Sequence, residues 1–176
     1  MHPYKPERAS RANMQLIDAS SPDYARIVAY AVRRTPTGLL TQSDPPQLGR
    51  FAAIVGPAHA PRSVAILSAY GADHLTRPSA DLGHWLIDER GEAFSGTLAD
   101  LTQGEPFMHI ELFESFDRGR GYARRIVTGL SGSDLLVGPS VDVIGAYARL
   151  GFEPTGLSVS IPERPLMRKR ASYGFT

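Results

Sequence analysis

The stretch Asp117-Arg118-Gly119-Arg120-Gly121-Tyr122-Ala123-Arg124-Arg125 is where residue types and spacing in this 176-residue chain point most directly to chemistry. Two glycines stand at the mouth of what reads as a helix, where each costs up to about 1 kcal/mol if it falls in the first turn. Glycine lets backbone approach a ligand closely, and a helix N-terminus offers unpaired N–H groups and a partial positive charge. Together these form an anion cradle. Arg118, Arg120, Arg124 and Arg125 deepen the positive potential, and a pyrophosphate is a natural guest. The plain alternative is a Gly-rich turn with a solvated basic face. Spacing argues against two familiar nucleotide loops. No third small residue stands at the dinucleotide position, no acidic ribose ligand follows in a clean βαβ unit, and the Gly-Lys-Ser/Thr ending is missing.

A second motif follows one strand later. Tyr147-Ala148-Arg149-Leu150-Gly151-Phe152 reads as a helix C-terminus with Gly151 at a left-handed stop and an apolar Phe152 behind it. Tyr147 falls where its ring would pack on Phe152. A third candidate is the strand Phe107-Met108-His109-Ile110-Glu111-Leu112-Phe113. Alternation puts Phe107, His109, Glu111 and Phe113 on one face and Met108, Ile110 and Leu112 on the other, buried one. Histidine titrates near neutrality without help, and a carboxylate there could take a proton through a water. The plain alternative makes His109 a hydrogen-bonded sheet residue and Glu111 a solvated partner of an arginine.

The two motifs, in this order with a strand between, resemble the GNAT superfamily of acyl-CoA-dependent N-acetyltransferases. Arg118, Gly121 and Ala123 fit that family's Gln/Arg-x-x-Gly-x-Gly/Ala pattern, with Gly119 as its usual extra glycine. Tyr147, Leu150, Gly151 and Phe152 fit its Tyr-x-x-Leu-Gly-Phe ending. The resemblance covers residues 106–170; the N-terminal half agrees only in element order. It implies a mixed αβ fold, a largely antiparallel twisted sheet flanked by helices, whose fourth and fifth strands splay apart. Acetyl-CoA would sit in that cleft. Its pyrophosphate would rest on the amides of Gly119, Arg120, Gly121, Tyr122 and Ala123, and its pantetheine arm would run beside Phe113-Glu114-Ser115. The family usually has Val-x-Pro there, and it often has Asn seven residues before the tyrosine, where Ser140 stands. The resemblance also implies that the Tyr147 hydroxyl serves the coenzyme sulfur as proton donor. The base would come from the acceptor side of the strand carrying His109 and Glu111.

The implied reaction is transfer of an acetyl group to a primary amine by direct attack in a ternary complex, since the chain has no cysteine to carry an acyl group. Two other readings share the phosphate loop. One is a silent CoA-binding sensor or interaction module. The other is an enzyme using a different acyl group or acceptor, such as a hydroxyl. The acceptor itself is not written in the sequence.

Elements must position these groups, and composition bounds them. Charged residues at 21% and hydrophobic ones at 42% describe a globular chain rather than a disordered or fibrous one. The length suits one domain, expected over 14–176 behind a loose tail at 1–13. A net charge of +1 recruits neither nucleic acid nor an anionic membrane. No apolar run is long enough to span a bilayer. The polar start shows no secretory pattern, so the cytoplasm is the expected compartment. The basic residues are 17 Arg and 2 Lys. Arg164, Arg168, Lys169 and Arg170 lack interleaved stacking aromatics and read as a solvated edge rather than a nucleic-acid site.

Met14–Asp18 reads as a strand, and Ser21-Pro22-Asp23 as a helix start with Ser21 as N-cap, the helix dying near Thr35. Residues 51–55 and 63–70 read as a hairpin. The region 72–105 is expected to form an acceptor-side loop over the cleft, with Trp85 and Tyr70 as walls and a strand turning at 88–91 as the other option. His74 and His84, near Asp73, Asp81 and Asp88, lack tight ligand spacing, so no metal is expected. Strands are expected at 107–113, 134–137, 155–161 and 165–169, and helices at 122–130 and 141–150. Exposed strand edges near the C-terminus suit pairing into a homodimer.

Overall fold

Ser21 starts the first helix as its chemistry dictates. Its hydroxyl accepts the Asp23 N–H at 3.3 Å, Pro22 opens the first turn, and Arg33 and Arg34 close the last. The Ser21→Ala variant is expected to lose about 1 kcal/mol of stability, read as a fall in Tm; an unchanged Tm would mean the cap contributes nothing.

The structure is a computed structural model and describes residues 14–35, 48–71, 86–94, 96–160 and 163–172. The expected tail at 1–13, Trp85, His74, His84, Asp73 and Asp81 lie outside them. In chain order the elements are β1 (Met14–Asp18), α1 (Pro22–Arg34), β2 (Arg50–Val55), β3 (Ser63–Tyr70), β4 (Leu86–Ile87), α2 (Leu98–Thr102), β5 (Phe107–Ser115), α3 (Tyr122–Gly129), β6 (Asp134–Val137), α4 (Ile144–Arg149), β7 (Glu153–Ser160) and β8 (Glu163–Lys169). The eight strands form one mixed sheet in the order β1-β2-β3-β5-β6-β8-β7-β4. Every pairing is antiparallel except β5 with β6. No helix among the described residues is long and apolar enough to cross a membrane.

Helices cover both faces. On one, α3 and α4 pack Ile126, Val127, Leu130, Ile144 and Leu150 against Ala65, Leu67, Ile110, Leu135 and Val137. On the other, α1 lays Ile27 and Ala31 on Ala52, Ile54, Val64, Ile66 and Leu112. Further along that second face, Leu101 of α2 and Leu86 of β4 join Tyr70, Phe107, Leu136, Leu157, Val159 and Leu166.

The other option for this region, a strand turning at 88–91, is present at Leu86–Ile87, and its turn closes through the Asp88 N–H to the Glu92 carbonyl and the Gly91 N–H to the Asp88 carbonyl. It pairs with β7 at the far edge of the sheet. The described part of the 72–105 region is therefore a hairpin and a short helix built into a core. Tyr70, expected as a cleft wall, is fully buried and stacks on Phe107 with ring centroids 5.1 Å apart. It is a core residue, because the β3 face it occupies is closed by α2 and β4.

Of the C-terminal strands, β8 lies inside the sheet between β6 and β7, and β4 takes part of the outer side of β7. Among the described residues β7 offers an edge there, over part of its length.

Sequence alternation fails in β5. Ile66 pairs with Leu112 while Leu67 pairs with Ile110, so Glu111 is an extra residue, a β-bulge. A bulge shifts the phase of every residue beyond it. Phe113 therefore joins Met108 and Ile110 under α3 and α4, and Leu112 packs under α1. Leu112 and Phe113 have exchanged the faces that strict alternation assigned.

Candidate active site

β5 and β6 pair only from Phe107↔Asp134 to Ile110↔Val137. β6 then ends, while β5 runs on for five residues to Ser115. These are the fourth and fifth strands of the expected splay, since the short β4 was not in that count. Past Ile110, the β5 edge facing away from β3 has no strand partner among the described residues. Phe113, Glu114 and Ser115 lie on this free edge, while β3 holds the opposite one. The Ser63 hydroxyl also donates to the Glu114 carbonyl at 3.0 Å.

The chain then turns through Phe116–Arg120 into α3, and the start of this helix breaks three ordinary rules together. Its N-cap is Gly121 in the left-handed conformation at φ 73°, no side chain caps it, and no acid stands in its first turn. Instead Arg124 and Arg125 stand there, where the helix dipole disfavours cations. Gly119 is also left-handed at φ 77°. A Cβ placed on either glycine would meet nothing within 4 Å, so the space before the helix is open. An anion resting on these amides would resolve the missing cap and the arginine repulsion together.

The arginines are held around this opening. Asp117 bridges Arg62 at 3.3 Å and Arg120 at 3.8 Å, and Arg118 reaches Glu114 at 4.0 Å. The guanidinium groups of Arg62 and Arg125 each lie over the Tyr122 ring, at 5.9 Å and 5.3 Å. Arg124 donates to the Arg149 carbonyl at 3.3 Å. That bond ties the start of α3 to the end of α4, so the two sequence motifs meet in space.

Tyr147 comes from α4. Its ring packs edge-on against Phe113, centroids 6.1 Å apart, and against Phe152, 5.4 Å apart. Gly151 makes the αL stop at φ 93°, and the Phe152 N–H donates to the Tyr147 carbonyl. Burial, then the Glu114 carboxylate, pushes the phenol above its ordinary range, so it stays protonated at neutral pH. Ser140 stands at the N-cap position of the turn Val141–Val143 without a side-chain cap bond, and its hydrogen bond to the exposed Asp142 carboxyl, ahead of the Asp142 backbone, lowers that carboxyl.

On the opposite face of the sheet, Glu111 meets residues the sequence reading missed. The Ser68 hydroxyl donates to Glu111 Oε1. Burial raises the Glu111 carboxyl, opposed by the Ser68 hydrogen bond and by Arg50. Tyr24 of α1 is raised in turn, first by burial and then by Glu111. His109 is buried, in register with Ser68. Ser68 had a visible signal: it is the one small polar residue in the row Val64, Ile66, Ser68, Tyr70. Arg50 and Tyr24 had none, because their neighbours are distant in sequence. Among the described residues, no group of three His, Asp or Glu could hold a metal.

The raised Glu111 carboxyl has a consequence for stability. Folding favours its protonated form, so the native state is relatively most stable below the ordinary carboxyl range. It loses that advantage as pH rises through the raised value. The Glu111→Gln variant is expected to melt above the wild type at pH 7, the two curves converging in acid. Parallel curves at all pH values would remove the buried charge from the account.

No family model matches the chain, and no curated protein matches it. Solved structures do. A protein of Lactobacillus plantarum assigned to the N-acetyltransferases aligns over 91% of this chain and 99% of its own, at 16% identity and TM-score 0.48. A GNAT-family acetyltransferase from Brucella melitensis, in complex with acetyl-CoA, aligns over 93% of this chain and 91% of its own, at 11% identity and TM-score 0.42. The Bacillus subtilis N-acetyltransferase YlbP, in complex with coenzyme A, aligns over 68% of this chain and 66% of its own, at 12% identity and TM-score 0.38.

Proposed function

We propose that this chain transfers an acetyl group from acetyl-CoA to a primary amine by direct attack within a ternary complex. One observation carries the reading. The uncapped, arginine-rich start of α3 opens beside the free edge of β5, with the protonated Tyr147 on the strand's covered face.

Each group then has one task. The amides from Gly119 to Ala123 hold the diphosphate, with Arg118 and Arg120 adding positive charge. The free backbone of residues 113–115 accepts and donates along the pantetheine arm as a neighbouring strand would, and Ser140 lies beyond β6 on the far side of the opening. A thiolate leaves poorly without a proton, and the Tyr147 hydroxyl supplies it. An attacking amine must shed its own proton. Glu111 takes it, since burial has made this carboxylate more basic than an ordinary one. Of the two candidates on β5, Glu111 is the better base, because the bulge pushes it out of the ladder. His109 stands buried in the row behind it. The carbon–nitrogen bond forms as the carbon–sulfur bond breaks, and the proton passes from amine to carboxylate while the phenol protonates the sulfur.

The test is release of free thiol from acetyl-CoA across a panel of amines, beside calorimetric titration with CoA. The reading expects saturable CoA binding and amine-dependent thiol release. In the same assay Glu111→Gln is expected to lower turnover about 10²-fold. Absence of CoA binding by folded protein would end the proposal.

A further inference from the structure

The sheet face under α1 is apolar along its length, with one interruption. Along β3 it reads Val64, Ile66, Ser68, Tyr70, and along β5 Phe107, His109, then Glu111 and Leu112 at the bulge. Ile66 and Leu112 belong to the core beneath α1, Tyr70 and Phe107 to the core beside α2. Between those cores, Arg50, Ser68 and His109 stand in one register row across β2, β3 and β5. With strands about 4.8 Å apart, the row is about 10 Å wide. Glu111 closes onto it through the Ser68 hydroxyl. Tyr24 reaches it from α1, within the field of both Glu111 and Arg50.

The charges in this row do not close on each other. No ion pair joins Arg50 to Glu111 among the described residues. The Arg50 Nε is buried and has no hydrogen-bond partner. A guanidinium has only donors, and a buried donor without an acceptor is a costly feature that native structures rarely keep. Its natural complement is a carboxylate, which it can grip through two parallel N–H bonds. A cation and an anion held side by side, with no ion pair to either among the described residues, match a molecule whose ammonium and carboxylate are one carbon apart.

We propose that the acceptor is a free α-amino acid, its carboxylate docked on the Arg50 guanidinium and its amine presented to Glu111. The proposal rests on the acyl-transfer reading above for what happens to that amine. Arg50 is here a binding residue; the bond changes and proton transfers are those already given.

The test compares each standard α-amino acid with its decarboxylated amine and with its amide, by calorimetry in the presence of CoA and by thiol release from acetyl-CoA. At least one amino acid is expected to bind about 30-fold or more tightly than its decarboxylated partner. Arg50→Gln is expected to reduce that ratio to about threefold or less, a ratio that does not depend on how much of the variant folds. Three results would each overturn the proposal: amines or amides binding as well as the acids, no amino acid binding at all, or an unchanged ratio in Arg50→Gln. The two readings fail separately. Thiol release with amines that ignores the carboxylate overturns this proposal alone. Selective amino-acid binding without any thiol release overturns the acyl-transfer reading and leaves the site assigned.

Discussion

Gly121→Asp is expected to weaken CoA binding by about 100-fold or more, at a cost in stability of about 1 kcal/mol. Gly121 is the N-cap of α3 in a left-handed conformation, without a side-chain cap. That backbone strains any residue with a Cβ, aspartate less than most, and a side-chain cap needs an extended N-cap, so the new side chain gains no cap bond in place. Its carboxylate would lie favourably against the helix dipole and the four nearby arginines, which offsets part of the strain. It would also occupy, with negative charge, the open space in which the diphosphate should rest. Two unit charges about 4 Å apart repel by about 4 kcal/mol in a partly screened site, enough to remove binding at ordinary concentrations. Titration calorimetry and thermal denaturation on one preparation read both quantities. Affinity preserved within tenfold would place the ligand elsewhere.

Tyr147→Phe is expected to lower kcat by about 10² to 10⁴-fold, the usual range for a positioned proton donor, with CoA affinity changed little. The ring is kept, so its packing on Phe113 and Phe152 survives and Tm should move by no more than a degree or two, as for a near-isosteric change. Burial keeps the hydroxyl protonated across the neutral range, so it is a donor at every pH of interest. Activity close to the wild type would show that the leaving thiolate needs no protein acid, and would reduce Tyr147 to packing.

Local chemistry was legible in the sequence. The Ser21 cap, the strands at 63–70 and 134–137, the Gly151 stop and the glycine-rich entry to α3 all follow from residues within a few positions of one another. What was not legible depends on distant partners. Nothing near Leu86 announces that it will cross to the far edge of the sheet beside β7. Nothing near Glu111 announces a bulge, because a bulge is a mismatch between two strands and only one is visible at a time. The polar row has the same origin. Arg50, Ser68 and His109 become neighbours only after three strands have aligned, and the sequence shows them in three separate segments. The phosphate loop differs because a helix start and its ligand are local to each other.

The additional residue at Glu111 makes β5 behave as two strands of opposite handedness of display. Excising one residue between Ile110 and Leu112 would restore plain alternation, with Leu112 still beneath α1 and Phe113 still beneath α3 and α4. Tyr147 would keep its aromatic support, while the carboxylate would vanish from the Ser68 row. A one-residue deletion would thus separate the two reagents' seats, emptying one and leaving the other intact, in a chain whose core composition had barely changed.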